Sequence, residues 1–196
     1  MAIREAGPER LGAFSDGVIA VIITIMVLGL NPPHEASLSA LLKLWPGFLS
    51  YALSYFFVGI VWINHHHLLR YVERATTGII ATNFVFLFFV SLIPFFTAYV
   101  AASEVSAFAT AIYAAVFLLA TLAYIAFEWT ILGACAGARE EREKQGMSRW
   151  RNWVGLACSV TAIPCAYLDA RVSLGLIFLV SVFYSSPYWG RGETLG

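Results

Sequence analysis

The chain has 196 residues, 60% of them hydrophobic and only 12% charged, with a mean hydropathy of +0.76. A soluble domain carries about 25% charged residues, so this composition cannot cover a globule in water, and it also excludes intrinsic disorder and a disulfide scaffold. Twelve basic and twelve acidic residues cancel, which removes a basic nucleic-acid binder, and Cys135, Cys158 and Cys165 lie in apolar runs without a CxxC pair, so neither zinc nor a disulfide framework is indicated.

What remains is an all-α integral membrane protein. A spanning helix needs about 20 mostly apolar residues to cross a hydrocarbon core of roughly 30 Å. Six candidate spans follow in chain order, over about residues 14–30, 44–63, 77–101, 107–134, 153–168 and 174–188. The first is uninterrupted only from Val18 to Leu30, holds Asp16 just inside its start, and stops at Asn31-Pro32-Pro33. Arg4 and Arg10 precede it, but no A-x-A cleavage pattern follows, so it reads as a span rather than a signal peptide. The second ends at Asn64 and three histidines. The third carries Asn83, Pro94 and Thr97, an expected kink and two candidates for helix–helix hydrogen bonds. The fourth carries Glu128 near its end, placed to snorkel, to pair with Arg139 or to relay a proton. The last two are short.

With six spans, ten of the twelve basic residues fall on one side of the membrane, which puts both termini in the cytoplasm by the positive-inside rule. The stretch from Ala138 to Asn152 is the only long hydrophilic one. Its charges alternate at i,i+3 and i,i+4 spacing, as in a solvated helical extension. The whole chain, residues 1–196, reads as a single six-span domain with no internal repeat.

In a membrane the informative residues are the expensive ones. Asp16 follows Ser15, and either side chain could cap the helix start or join a buried network. Arg10 and Asp16 are six apart and do not share a helical face unless the chain turns before Phe14. Topology brings the end of span 2 to the same depth as the start of span 1, so Trp62 and His65 to His67 lie level with Arg10, Ser15 and Asp16. Trp62 and His65 share a face at i,i+3, whereas three consecutive histidines cannot all reach one metal. No GxSxG, HExxH, P-loop, dinucleotide fingerprint or TVGYG filter is present, so the chain is read as no enzyme and no cofactor is expected.

The stretch Arg10-Leu-Gly-Ala-Phe14-Ser15-Asp16, the Trp62-Ile-Asn-His65-His66 segment, and the run from Asn83 through Pro94-Phe95 to Thr97 resemble signature segments of the transmembrane protein 175 potassium-channel family. The first matches that family's RxxxFSD motif. The resemblance covers about the first hundred residues with specific motifs and the remainder only in span count. It implies the bacterial form, one six-span unit per chain assembled as a homotetramer around a central pore in the plasma membrane. It implies a polar network of Arg10, Ser15, Asp16, Trp62 and His65. It further implies a pore lined by span 1 and narrowed by apolar side chains at Val21, Thr24 and Leu28, flanked by Ile25. Periodicity alone does not choose that face, because span 1 is apolar all round.

An apolar ring gates by dewetting and imposes a dehydration cost on each ion. K⁺ holds water less tightly than Na⁺ and should pass more easily, with the Thr24 hydroxyl oxygen as partial replacement. The expected function is thus a K⁺-permeable cation channel whose partners are its own copies and the bilayer. The competing readings are a proton-coupled secondary transporter using Asp16, Glu128 or the histidines, and a non-conducting scaffold. No pair of Gly/Pro-broken helices related by a repeat supports the transporter.

Overall fold

A computed structural model describes residues 7–135 and 149–189, with side chains described over 7–135 and 153–183. The described elements are helical: α1 Pro8–Met26 with a 3₁₀ turn Val27–Gly29, α2 Leu38–Leu42, α3 Trp45–Leu69, α4 Thr77–Ala102, α5 Ala107–Ala134, α6 Arg149–Leu168 and α7 Ala170–Trp189. Of the hydrophilic stretch from Ala138 to Asn152, expected as a solvated helical extension, residues 138–148 lie outside the described residues and 149–152 open α6.

Helix starts follow local chemistry. Pro8 opens α1 at a position where its missing N–H is not needed. Side-chain oxygens of Ser37, Thr76 and Ser106 accept from the backbone N–H three residues on, capping α2, α4 and α5. Asp169 alone separates α6 from α7, and its carboxylate accepts from the Arg171 N–H at 2.8 Å. These caps matter in a bilayer, where no water satisfies an open helix end.

Four boundaries differ by four residues or more from those read along the sequence: the starts of α1, α6 and α7 and the end of α3. Helix α1 begins at Pro8, six residues before the apolar run, and α3 continues through the histidines to Leu69. The backbone stays helical past the last apolar residue because turned-in side chains still find packing there. Among the described residues, four helices are long and apolar enough to cross a membrane: Pro8–Gly29, Trp45–Leu69, Thr77–Ala102 and Ala107–Ala134. The apolar parts of α6 and α7, Trp153–Leu168 and Ala170–Phe183, are shorter.

Helix α5 packs on α4, α6 and α7, while α1 lies against α3 and α4 at the edge of the bundle. Its buried residues, Leu11, Ser15, Ile19, Ile22 and Met26, recur every three or four positions and form one stripe. The core is layered. A larger apolar cluster includes Ile19, Phe57, Phe86, Val90 and Phe117, and a smaller one joins Leu11, Leu68, Ile79, Phe127 and Ile131. Between the two, Ser15, His65 and Asn83 are fully buried. Glu128 is also buried, turned inward from α5 instead of snorkelling to the interface.

The turn joining α4 to α5 carries two consecutive left-handed residues, Glu104 (φ 52°) and Val105 (φ 61°). Neither is glycine, and each such residue costs about 1–2 kcal/mol. Backbone bonds from Glu104 N–H to the Ala101 carbonyl (3.2 Å) and from Val105 N–H to the Val100 carbonyl (3.0 Å) hold the turn. Glu104→Gly should therefore raise thermal stability in detergent by about 1 kcal/mol. Val105→Gly should not, because the Val105 side chain packs against the larger core cluster.

Candidate functional site

The α1 helix presents two unlike faces, one tied into the bundle and one bare. On the tied face Ser15, wholly buried, donates its hydroxyl to the Leu11 carbonyl at 2.9 Å. Asn83 of α4 donates its side-chain amide to Ser15 Oγ at 2.9 Å, and Asn83 Oδ1 lies 2.8 Å from His65 Nε2 of α3. The His65 ring is stacked between Phe86 and Phe127, with centroids 5.4 and 5.3 Å away and interplanar angles of 12° and 16°. One turn outward, Trp62 Nε1 donates to Asp16 Oδ1 at 2.8 Å, a second tie between α1 and α3. Three helices are thereby pinned at one level.

Of the five residues expected in a polar network, Ser15, Asp16, Trp62 and His65 thus meet at the contact of α1 with its neighbours, and Asn83 bridges two of them. Arg10 does not join them. It is exposed; its backbone N–H donates to the Gly7 carbonyl at 3.0 Å, and among the described residues no side-chain hydrogen bond joins it to Ser15, Asp16, Trp62 or His65. Helix α1 starts before Arg10, so the residue is fixed about a third of a turn away from the Asp16 side. The three histidines also separate: His65 is buried, His66 exposed and His67 half-buried. Among the described residues no group of three or more His, Cys, Asp or Glu is placed to hold a metal ion.

An exposed carboxylate–indole bond contributes about 1–2 kcal/mol. Asp16→Ala should therefore loosen the α1–α3 contact by that amount. Asp16→Asn, which keeps an acceptor for Trp62 Nε1, should lose less than half as much. Melting of the purified protein in detergent distinguishes the two.

A second polar cluster lies beyond the larger apolar layer and was not read from the sequence. Ser54 Oγ is 2.6 Å from Thr97 Oγ1 and 2.7 Å from the Tyr113 hydroxyl. Thr97 donates to the Ile93 carbonyl at 2.7 Å, and Ser50 donates to the Thr97 carbonyl at 3.3 Å. Thr97 was expected to bond between helices; its partners were not. The signal was the pair Ser50 and Ser54, four apart and hence on one face of an otherwise apolar helix.

The bare face of α1 holds Val21 (57% exposed), Ile25 (42%), Leu28 (76%) and Thr24. Gly17 shares it, and a Cβ there would meet nothing within 4 Å. The Thr24 hydroxyl donates back to the carbonyls of Ala20 (3.0 Å) and Val21 (2.9 Å). Its proton is thus spent on the helix, and what it turns outward is oxygen lone pairs. Leu28 is set on the 3₁₀ turn, which Gly29 allows to approach α4: a Cβ on Gly29 would lie 3.2 Å from Ala98 Cβ.

Long apolar helices, polar side chains tied off between them, and large apolar side chains left exposed on α1 and on the outer faces of the other long helices define a multi-spanning helical membrane protein. The model of the family described as endosomal/lysosomal potassium channel TMEM175 matches residues 10–94, from Arg10 of the opening motif to Pro94. A potassium channel of Chryseobacterium sp. (strain P1-3) is 33% identical over 178 residues, covering 91% of this chain and 92% of that protein. The human endosomal/lysosomal proton channel TMEM175 is 29% identical, covering 90% of this chain and 38% of its own length. The crystal structure of a lysosomal potassium-selective channel TMEM175 homolog from Chamaesiphon minutus superposes with a TM-score of 0.78 at 26% identity, over 91% of this chain and 96% of that one. The chain belongs to the TMEM175 family, a family of channels and not of enzymes.

Proposed function

We propose that this protein is a potassium-permeable cation channel of a bacterial plasma membrane, formed by four copies whose α1 helices surround a central pore. The observation that carries the reading is the bare face of α1. Its opposite face is pinned to α3 and α4 by hydrogen bonds, so α1 is held rigidly while Val21, Thr24, Ile25 and Leu28 remain unpartnered in the single chain. Arg10 and Gly17 lie on the same side, 18 and 11 positions before Leu28, both close to whole numbers of turns.

In this reading the apolar side chains form the constriction and select by dehydration, and Thr24 supplies outward lone pairs that suit a cation. No ring of carboxylates is needed. The names of the bacterial relatives support K⁺ as the permeant ion, and that of the human relative supports protons as a second one. No cofactor takes part.

The same reading makes all six long helices spans, with both termini cytoplasmic and the chain a single channel domain. Helices α6 and α7 are 20 residues each, about 30 Å long, which matches the hydrocarbon thickness even though their apolar parts are shorter.

The test is reconstitution of the purified chain in planar bilayers. Discrete single-channel K⁺ steps are expected. Saturable, pH-coupled flux without steps would instead make it a proton-coupled transporter, and no flux at all a scaffold.

A further inference from the structure

We infer that His65 carries its proton on Nε2 and heads a one-way hydrogen-bond chain, His65 to Asn83 to Ser15 to the Leu11 carbonyl, that positions α1 and passes no proton. The direction follows from donor counting, beginning at the far end. A peptide carbonyl can only accept, so the single hydroxyl proton of Ser15 is spent on Leu11 O at 2.9 Å. Toward Asn83, Ser15 Oγ can then only accept, which requires the amide nitrogen of Asn83 to face it, at 2.9 Å. The other end of the same amide is therefore its oxygen, and it faces His65 Nε2 at 2.8 Å. An oxygen there accepts, so Nε2 is the protonated ring nitrogen.

The opposite ring nitrogen gives an independent argument. Nδ1 of His65 is buried without a hydrogen-bond partner. In the inferred tautomer that atom is a bare lone pair. In the reversed chain it would be an N–H buried without an acceptor, and Ser15 would lose its bond to Leu11. An orphaned buried donor is costly, and an under-satisfied acceptor is tolerated more often. The titratable groups around the ring are Asp16 on α1, His66 on the same helix and Glu128 on α5, one residue beyond Phe127. None of them bonds either ring nitrogen.

A proton relay needs each member to accept on one side as it donates on the other. This chain begins at a nitrogen with nothing to feed it and ends at a carbonyl with nowhere to send a proton. His65 and Asn83 are thus positioning residues: they set where α1 sits, and protons that cross the protein do so elsewhere. The inference stands whether or not α1 lines a pore.

The direct measurement is the tautomer of His65 by nitrogen NMR on the full chain in lipid nanodiscs at neutral pH. The variant His34→Gln, His66→Gln, His67→Gln leaves His65 as the only imidazole. If that variant does not assemble, the difference between wild type and His65→Gln isolates the same signals. One protonated Nε2 and one bare Nδ1 are expected; a proton on Nδ1, or on both nitrogens, overturns the inference. A functional arm uses liposomes with a pH-sensitive dye. Glutamine can place a donor where Nε2 stands, so His65→Gln should keep both K⁺ and proton flux within about two-fold of wild type, a change of less than about 0.5 kcal/mol. Loss of proton flux with K⁺ flux retained would make His65 a relay and overturn it.

Discussion

Asn83→Leu is expected to cost about 3–5 kcal/mol of stability and, if the chain forms the proposed tetramer, to break it up. Leucine fills nearly the same space, so the loss comes from hydrogen bonding and not from a cavity. The substitution removes the donor to Ser15 and the acceptor for His65 together. Ser15 keeps its bond to Leu11, but His65 is left with both ring nitrogens unpartnered inside a stack of two phenylalanines. Because α1 packs chiefly on α3 and α4, releasing this tie loosens α1 from the bundle. The expected result is a melting temperature in detergent lower by about 10 °C, and the peak of the proposed tetramer lost on size exclusion. A variant as stable as wild type would show that the polar layer does not hold α1.

Leu28→Ala is expected to act on conduction and leave stability nearly untouched. Leu28 is 76% exposed, so its truncation opens no cavity in the bundle. Its position is fixed by the 3₁₀ turn and the close approach of Gly29 to Ala98, so neighbouring residues will not move to replace it. If four such side chains ring the pore, shortening them widens the apolar constriction and lowers the dehydration barrier for every ion. The barrier falls most for Na⁺, which holds its water more tightly. Na⁺ flux relative to K⁺ should rise about tenfold, equivalent to about 1.4 kcal/mol of lost discrimination. Parallel K⁺ and Na⁺ flux assays in liposomes measure it, and an unchanged ratio would remove Leu28 from the selective region.

The two outcomes separate what the two faces of α1 do, and that division was only half legible in the sequence. The helices α4 and α5 were bounded within a residue because apolar run and helix coincide there. They do not coincide at the start of α1 or the end of α3, where polar residues continue the helix because their side chains turn inward. The depth argument brought Trp62 level with Asp16, and the two are bonded. It could not assign partners to His65, since three adjacent histidines offer no periodicity and only packing tells which one faces the core. Asn83 stood out as a polar residue in an apolar helix, but its role as a bridge depends on three helices meeting at one level. Ser50, Ser54 and Tyr113 passed unnoticed because hydroxyls are common in apolar helices, where they bond their own backbone. The bare face of α1 could not be chosen by pattern at all. That helix is apolar on every side, so the hydrophobic pattern is blind to which side the bundle leaves open.

The central claim, that water and ions pass along this face, is tested most directly by thiol accessibility. In a background with Cys135, Cys158 and Cys165 replaced by alanine, Thr24→Cys and Leu28→Cys are placed on the bare face, Ile22→Cys on the buried face, and Leu179→Cys on α7, where the native side chain is 61% exposed. A charged, water-soluble thiol reagent should cut K⁺ flux about tenfold or more through Thr24→Cys and Leu28→Cys. It should leave Ile22→Cys and Leu179→Cys unaffected, because a face that meets protein or lipid offers the reagent no water. Flux through Thr24→Cys and Leu28→Cys that is indifferent to the reagent would contradict a pore along α1.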